Sequence, residues 1–198
     1  TGSAMGLANL TIRARLLLLA AIGAIGVVVV FGVSLFEERR LLIEDRKTKT
    51  RHVVEVAHGI LAHYESLAKS GKMPEPDARK AAAETLRGLR YEGKEYYWVH
   101  DLDHNVVMHP TKPEMEGTNK ADLKDPNGVY LYRDMNVLVK REGQGFVSYH
   151  WPRPGASEPV PKLSFVKLFE PWGWVVGSGI YMDDVDAIFW QSVLRLGA

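Results

Sequence analysis

The sequence predicts an α+β fold, a five-stranded and mostly antiparallel sheet behind a long N-terminal helix. Three observations carry this. An uncharged stretch, Leu16 to Phe36, runs straight into a polar stretch with helical spacing. Five short runs rich in aromatic and β-branched residues occupy the second half of the chain. The connections between successive runs are mostly short, which joins strands antiparallel.

Thr1 to Ala4 read as a cloning remnant ahead of Met5, and 1–15 as that remnant plus a short cytoplasmic N-terminus. Leu16 to Phe36 is long enough, at roughly 30 Å in a helix, to cross the hydrocarbon of a bilayer. A cleaved signal peptide has a shorter apolar core, so 16–36 is read as a transmembrane helix. The basic residues flank it ambiguously: Arg13 and Arg15 precede it, while Arg39, Arg40, Arg46, Lys47, Lys49 and Arg51 follow. A naive count of positive charge therefore argues against an external domain, but long domains translocate largely regardless of charge.

From Glu37 the helix continues to Ser70. Val53, Ala57, Ile60, Tyr64 and Leu67 are spaced 4-3-4-3, a partial heptad seam suited to packing on its own domain, on a second copy, or on both. Gly71, Pro74 and Pro76 punctuate it, and a second helix is expected over 77–90. Tyr96 to Pro110 reads as a hairpin: Tyr96 to His100 and Asn105 to His109 are β-favouring, and Asp101 to His104 supply turn chemistry. Thr111 to Tyr130 is a long irregular segment of the kind that forms lids and binding loops. Leu131 to Glu142 is a helix candidate stopped by Gly143 and Gly145. Three further strands follow, Phe146 to Trp151, Leu163 to Phe169 and Trp174 to Tyr181, and Met182 to Leu196 reads as a last helix that stops at Gly197-Ala198. A hairpin, a crossover bearing a helix, then three sequential strands is the order of a PAS-like sheet. The sensor domain is expected over 37–190, with 191–198 the start of an outgoing helix.

Composition narrows the function classes. The formal net charge of +1 gives no concentrated basic face for nucleic acid. No cysteine is present, which excludes disulfides and thiolate metal sites. No nucleophile elbow, phosphate loop or HExxH helix occurs, so no enzyme is indicated. His100 and His104 are four apart but in a turn, and Asp183, Asp184 and Asp186 suit the dipole at the start of a helix. No cofactor or metal is expected, although a metal- or haem-binding sensor is kept as an alternative.

The segments LTIRARLLLLAAIG, LRYEGKEYYWVHDLDHNVVMHP, GFVSYHWPRPG and PKLSFVKLFEPWGWVVGSGIYMDDV occur in order and at consistent spacing. Together they resemble the single-Cache sensor domain of bacterial methyl-accepting chemotaxis proteins, over 5–196. The resemblance implies a homodimeric receptor of the inner membrane, with the sensor domain outside and its signalling module in the cytoplasm. It also implies a small organic acid of two to four carbons as ligand. The same external domain occurs on histidine kinases and diguanylate cyclases, which stay open as alternatives. One departure is visible: the family's turn has a glycine after the aspartate pair, where this chain has His104 and Asn105. Asn105 is expected to take the left-handed backbone there.

The candidate ligand-binding residues follow from pocket chemistry and from the implied ligand. Lys162 opens a strand, where a lysine sunk into the sheet would ask for an anion and one turned outwards would meet water; it is taken as the candidate for the acid's carboxylate. Tyr149 and Trp151 share one face of their strand, and His109 closes the hairpin. Arg90 and Tyr91 are candidates from the lid side. Tyr97 and Trp98 both stand as flanks for an aliphatic tail, although adjacent strand residues face opposite ways.

Overall fold

A computed structural model of the chain describes residues 11–196. The expected cloning remnant at 1–4 and the stop at Gly197-Ala198 lie outside the described residues. The first element, α1 (Ile12–Lys69), is one unbroken helix, roughly 87 Å long at 1.5 Å per residue. Its start is capped by the Thr11 hydroxyl, which accepts from the Ala14 N–H. Among the described residues one helix is long and apolar enough to cross a membrane, and none of its apolar window is buried.

Further along α1 the fully buried row is Thr50, Val54, Ala57 and Leu61. That row keeps the 4-3-4 spacing read from the sequence and shares Ala57 with it, but takes Val54 and Leu61 in place of Val53 and Ile60. Val53, Ile60 and Tyr64 sit at its half-buried margin. Helix α2 (Glu75–Gly88) lies alongside, slightly earlier than expected because Pro74 and Pro76 start it, a proline inside the first turn costing no hydrogen bond.

The sheet consists of β1 (Tyr97–Asp101), β2 (Val106–Met108), β3 (Gln144–Pro152), β4 (Pro159–Phe169) and β5 (Trp174–Tyr181). Its order is β2-β1-β5-β4-β3 with every pairing antiparallel. The first and last strands are therefore neighbours at the centre. Helix α3 (Leu131–Glu142) crosses between β2 and β3 and ends at Gly143, whose φ of 75° provides the left-handed cap. Helix α4 (Met182–Leu196) leaves β5 without a connecting loop and packs back on α1, where Arg39 and Asp186 pair at 2.8 Å.

The β1–β2 turn corrects one expectation. The left-handed residue is His104, at φ 69°, and not Asn105. Asn105 is held otherwise: its backbone N–H donates to Asp101 Oδ1 at 2.8 Å and its side-chain amide to Oδ2 at 2.9 Å. With Asn105 tied by Asp101 on both groups, the reversal falls on the residue before it.

The two faces of the sheet are covered differently. On one, Tyr97, Val99, Phe165, Phe169 and Val176 meet α1 and α2 in an apolar core. On the other, Tyr96, Trp98, Tyr149, Val166 and Val175 meet α3 and the segment 111–130. That segment is irregular apart from a short 3-10 turn, Pro113–Met115, and it is pinned in two places. Glu116 takes both Arg87 Nη1 (2.6 Å) and Nη2 (2.9 Å) and the His109 N–H (2.8 Å). The buried Asp125 accepts from the backbone of Asn127, Val129 and His150, each at 2.9 Å.

Candidate functional site

Strand parity builds the site on the face under α3. Residues paired across antiparallel strands share a face, and the register sets Tyr149, Lys162 and Tyr181 side by side. Trp98 stands opposite Gly177 and Ser164 opposite Gly179. Both glycines are required. A Cβ at 177 would lie 2.4 Å from the Trp98 ring, and one at 179 would lie 2.1 Å from Ser164 Oγ. The indole and the hydroxyl thus lie directly on the β5 backbone, which lowers the floor under α3.

Lys162 is 1% exposed. Its ammonium sits 3.2 Å from the Tyr96 hydroxyl and 3.5 Å from that of Tyr181, with the ring centres of the same tyrosines at 4.3 and 4.6 Å. The Tyr181 hydroxyl donates to Pro152 O at 2.9 Å, so it offers the ammonium a lone pair. Among the described residues no carboxylate lies within ion-pairing distance of Lys162. Its direct neighbours are phenols and ring faces, and the charge of Glu95 acts on it only from beyond ion-pairing distance, so the buried cation is incompletely compensated.

Beyond the Tyr96 and Trp98 rings that this ammonium faces lies a small cavity, lined by Tyr96, Trp98, His109, Tyr149 and Trp151 from the sheet side and by Leu131, Tyr132 and Met135 of α3. Its volume is about 10 Å³, room for about one water, so a larger guest requires the α3 side chains to move outward. The donors around it are neutral. Burial, aided by Lys162, lowers the His109 pKa to about 3 from 6.5, leaving the ring uncharged. Burial raises the Tyr149, Tyr132 and Tyr181 phenols, which stay protonated. The Tyr149 hydroxyl shares a 2.9 Å hydrogen bond with Ser164, and the Trp98 Nε1–H is buried without a partner.

Of the residues singled out from sequence, Trp98, His109, Tyr149 and Trp151 line this cavity, and Lys162 lies behind it against Tyr96 and Trp98. Three do not. Tyr97 faces α1 and α2 because its neighbour Trp98 takes the pocket face. Tyr91 belongs to the same helix side, with its hydroxyl 2.7 Å from Ser178 Oγ and its ring 5.7 Å from Tyr97. Arg90 is exposed and spends its guanidinium on the Arg87 and Leu89 carbonyls at the end of α2, both at 2.7 Å. Sequence reading missed Tyr96, Tyr132, Leu131, Tyr181 and Ser164. The signal for Tyr96 was its period-two relation to Trp98; Tyr181 and Ser164 needed the register.

Comparison with known proteins places the chain. A family model described as a Cache domain matches residues 33–195. The chain is 39% identical over 184 residues to the methyl-accepting chemotaxis protein McpP of Pseudomonas putida, an alignment covering 92% of this chain and 34% of that protein. It is 30% identical over 156 residues to the sensor histidine kinase MctS of Rhizobium johnstonii, covering 79% of this chain and 32% of that one. A solved structure described as the basis for carboxylic acid recognition by a Cache chemosensory domain superposes with a TM-score of 0.70 at 46% identity. It covers 72% of this chain and 97% of its own. The chain spans about a third of the length of the curated relatives it matches. It belongs to the Cache domain family of sensor domains.

Proposed function

We propose that this chain is the extracytoplasmic ligand-binding part of a transmembrane chemoreceptor that senses a small monocarboxylate of two to four carbons. One observation carries the ligand class: the Lys162 ammonium is buried against Tyr96, Tyr181 and Trp98 with no carboxylate partner among the described residues. A ligand carboxylate supplies the missing anion through a charge-assisted hydrogen bond. The neutral Tyr149 hydroxyl and Trp98 N–H are further donors, and the rings of Trp151 and Tyr132 with Met135 flank a short aliphatic tail. The carboxylic acid recognition ascribed to the solved relative supports the same class.

The chain is a sensor and not an enzyme. Its apolar stretch 16–36 anchors it in the inner membrane with the sheet outside, and two copies pair along α1. Ligand entry needs α3 and the 111–130 segment to shift outward, so the acid favours one arrangement of lid and sheet over another by its differential affinity. Because β5 runs directly into α4, Tyr181 connects Lys162 to the outgoing helix with no intervening loop. A histidine kinase output is the second reading, supported by the likeness to a sensor histidine kinase.

Calorimetric titration with acetate, propionate, lactate and pyruvate tests the proposal. Saturable binding of at least one acid, absent for the corresponding amide, is the expected result. Binding of the amides as well as the acids, or of neither, would overturn it.

A further inference from the structure

A second cavity, of about 320 Å³, opens where α1, the turn 91–95, the end of β5 and α4 meet. Its most buried carboxylate is Glu95, which is only 9% exposed. The turn is locked in place by two backbone hydrogen bonds between Tyr91 and Glu95, at 3.1 and 3.2 Å. No hydrogen bond reaches Glu95 Oε2, which is fully buried. The other charged groups at this cavity are already engaged. Arg46 pairs with Glu92, and Asp184 pairs with Arg153 at 2.8 Å. Ile180, Val185 and Ile188 give the remaining wall an aliphatic character.

From this arrangement we infer that the cavity is a second binding site, for a primary alkylammonium group whose head pairs with Glu95 and whose short chain lies on Ile180, Val185 and Ile188. A buried carboxylate without a donor is matched by a cation that brings N–H groups, and an organic ammonium supplies three. A divalent metal fits less well. It needs several oxygen ligands at once, and two of the three carboxylates here are held by arginines. The cavity volume suits a monoamine of a few carbons.

The site is separate from the carboxylate pocket, and it does not depend on that assignment. Tyr181 stands between them: it lines this cavity, and its ring centre is 4.6 Å from Lys162 Nζ. Burial raises the Glu95 pKa above its ordinary value, and the Lys162 charge acts through this wall to oppose that rise. An ammonium bound at Glu95 offsets a negative charge that Lys162 otherwise feels, so it strengthens the binding of an acid beside Lys162.

The test is calorimetry on the full chain in detergent micelles, titrated with ethylammonium and butylammonium chloride against a sodium chloride control of equal ionic strength. Saturable binding of the alkylammonium ions is expected, with affinity falling at least about tenfold in Glu95→Gln. Ala187→Phe on α4, which fills the cavity mouth from an exposed position, weakens binding without touching the carboxylate and serves if Glu95→Gln folds poorly. Acetate or propionate titration of the same variants separates the two sites. Loss of ammonium binding with acid binding retained supports the inference; equal affinity in wild type and both variants, or no saturable binding of either ammonium ion, overturns it.

Discussion

The two faces of the sheet do different jobs with the same strands. The face under α1 and α2 is a dry interlock of Val54, Ala57 and Leu61 with Tyr97, Val99, Phe165 and Val176. The face under α3 carries, among its apolar residues, a buried lysine, two buried histidines and several phenols, and its cover is an irregular segment pinned at Glu116 and Asp125. Close packing stabilises the first and makes it intolerant of change. The second gives up some of that packing for polar groups that want a partner. On the proposed function, stability and binding fall on opposite sides of one layer, and substitutions separate them.

The largest effect is expected on the dry face. Leu61→Ala removes a fully buried side chain against the sheet and costs about 2–5 kcal/mol of stability, measured by chemical denaturation. The acid affinity of the folded fraction stays at its wild-type value; a parallel loss would show that the faces are not independent. Next comes Lys162→Met. It lowers carboxylate affinity by about a hundredfold, about 2.7 kcal/mol, while stability is unchanged or increased because a buried charge has been removed. If stability falls as far as affinity, Lys162 is a structural residue.

A smaller effect is expected from the lid anchor. Glu116→Gln weakens the contacts to Arg87 and to the His109 N–H, costing about 1 kcal/mol of stability. Acid release speeds up, read by stopped-flow fluorescence of the pocket tryptophans. An unchanged release rate would remove the segment 111–130 from the binding cycle.

A pH dependence is expected as well. Burial is the main cause that lowers His100 and His109 to about 3, against an ordinary value of 6.5. The unfolded chain binds protons at these residues below 6.5, whereas the folded chain does not until about 3. Their contribution to stability is therefore complete above 6.5 and is lost as pH falls from there towards 3. The half-buried His58, on α1, is lowered in the same direction. Melting temperature should drop between pH 7 and pH 5, and His109→Gln should make that slope shallower; an identical slope would place the titration elsewhere.

Much of the fold was legible because its signals are local. Gly143 and the 3.6-residue spacing give α3 its observed bounds of Leu131–Glu142. Trp174 to Tyr181 and Met182 to Leu196 also match, because Gly173 turns the chain at φ 62° and the acidic first turn starts the helix. The binding face was half legible. Period two set Tyr149 with Trp151 and separated Tyr97 from Trp98, but it gave no means of choosing between the two.

That choice is not local. Whether Lys162 meets water or tyrosines depends on its register opposite Tyr149 and Tyr181, residues 13 and 19 positions away along the chain. It also depends on which face α1 occupies. The sequence by itself determined the elements, the apolar span and the residue types able to hold an acid, since hydrophobic periodicity and turn chemistry act over a few residues. Only the tertiary structure decided which side of the sheet is packed shut and which keeps a desolvated lysine, because pairing across strands and burial under a helix are properties of the assembled layers.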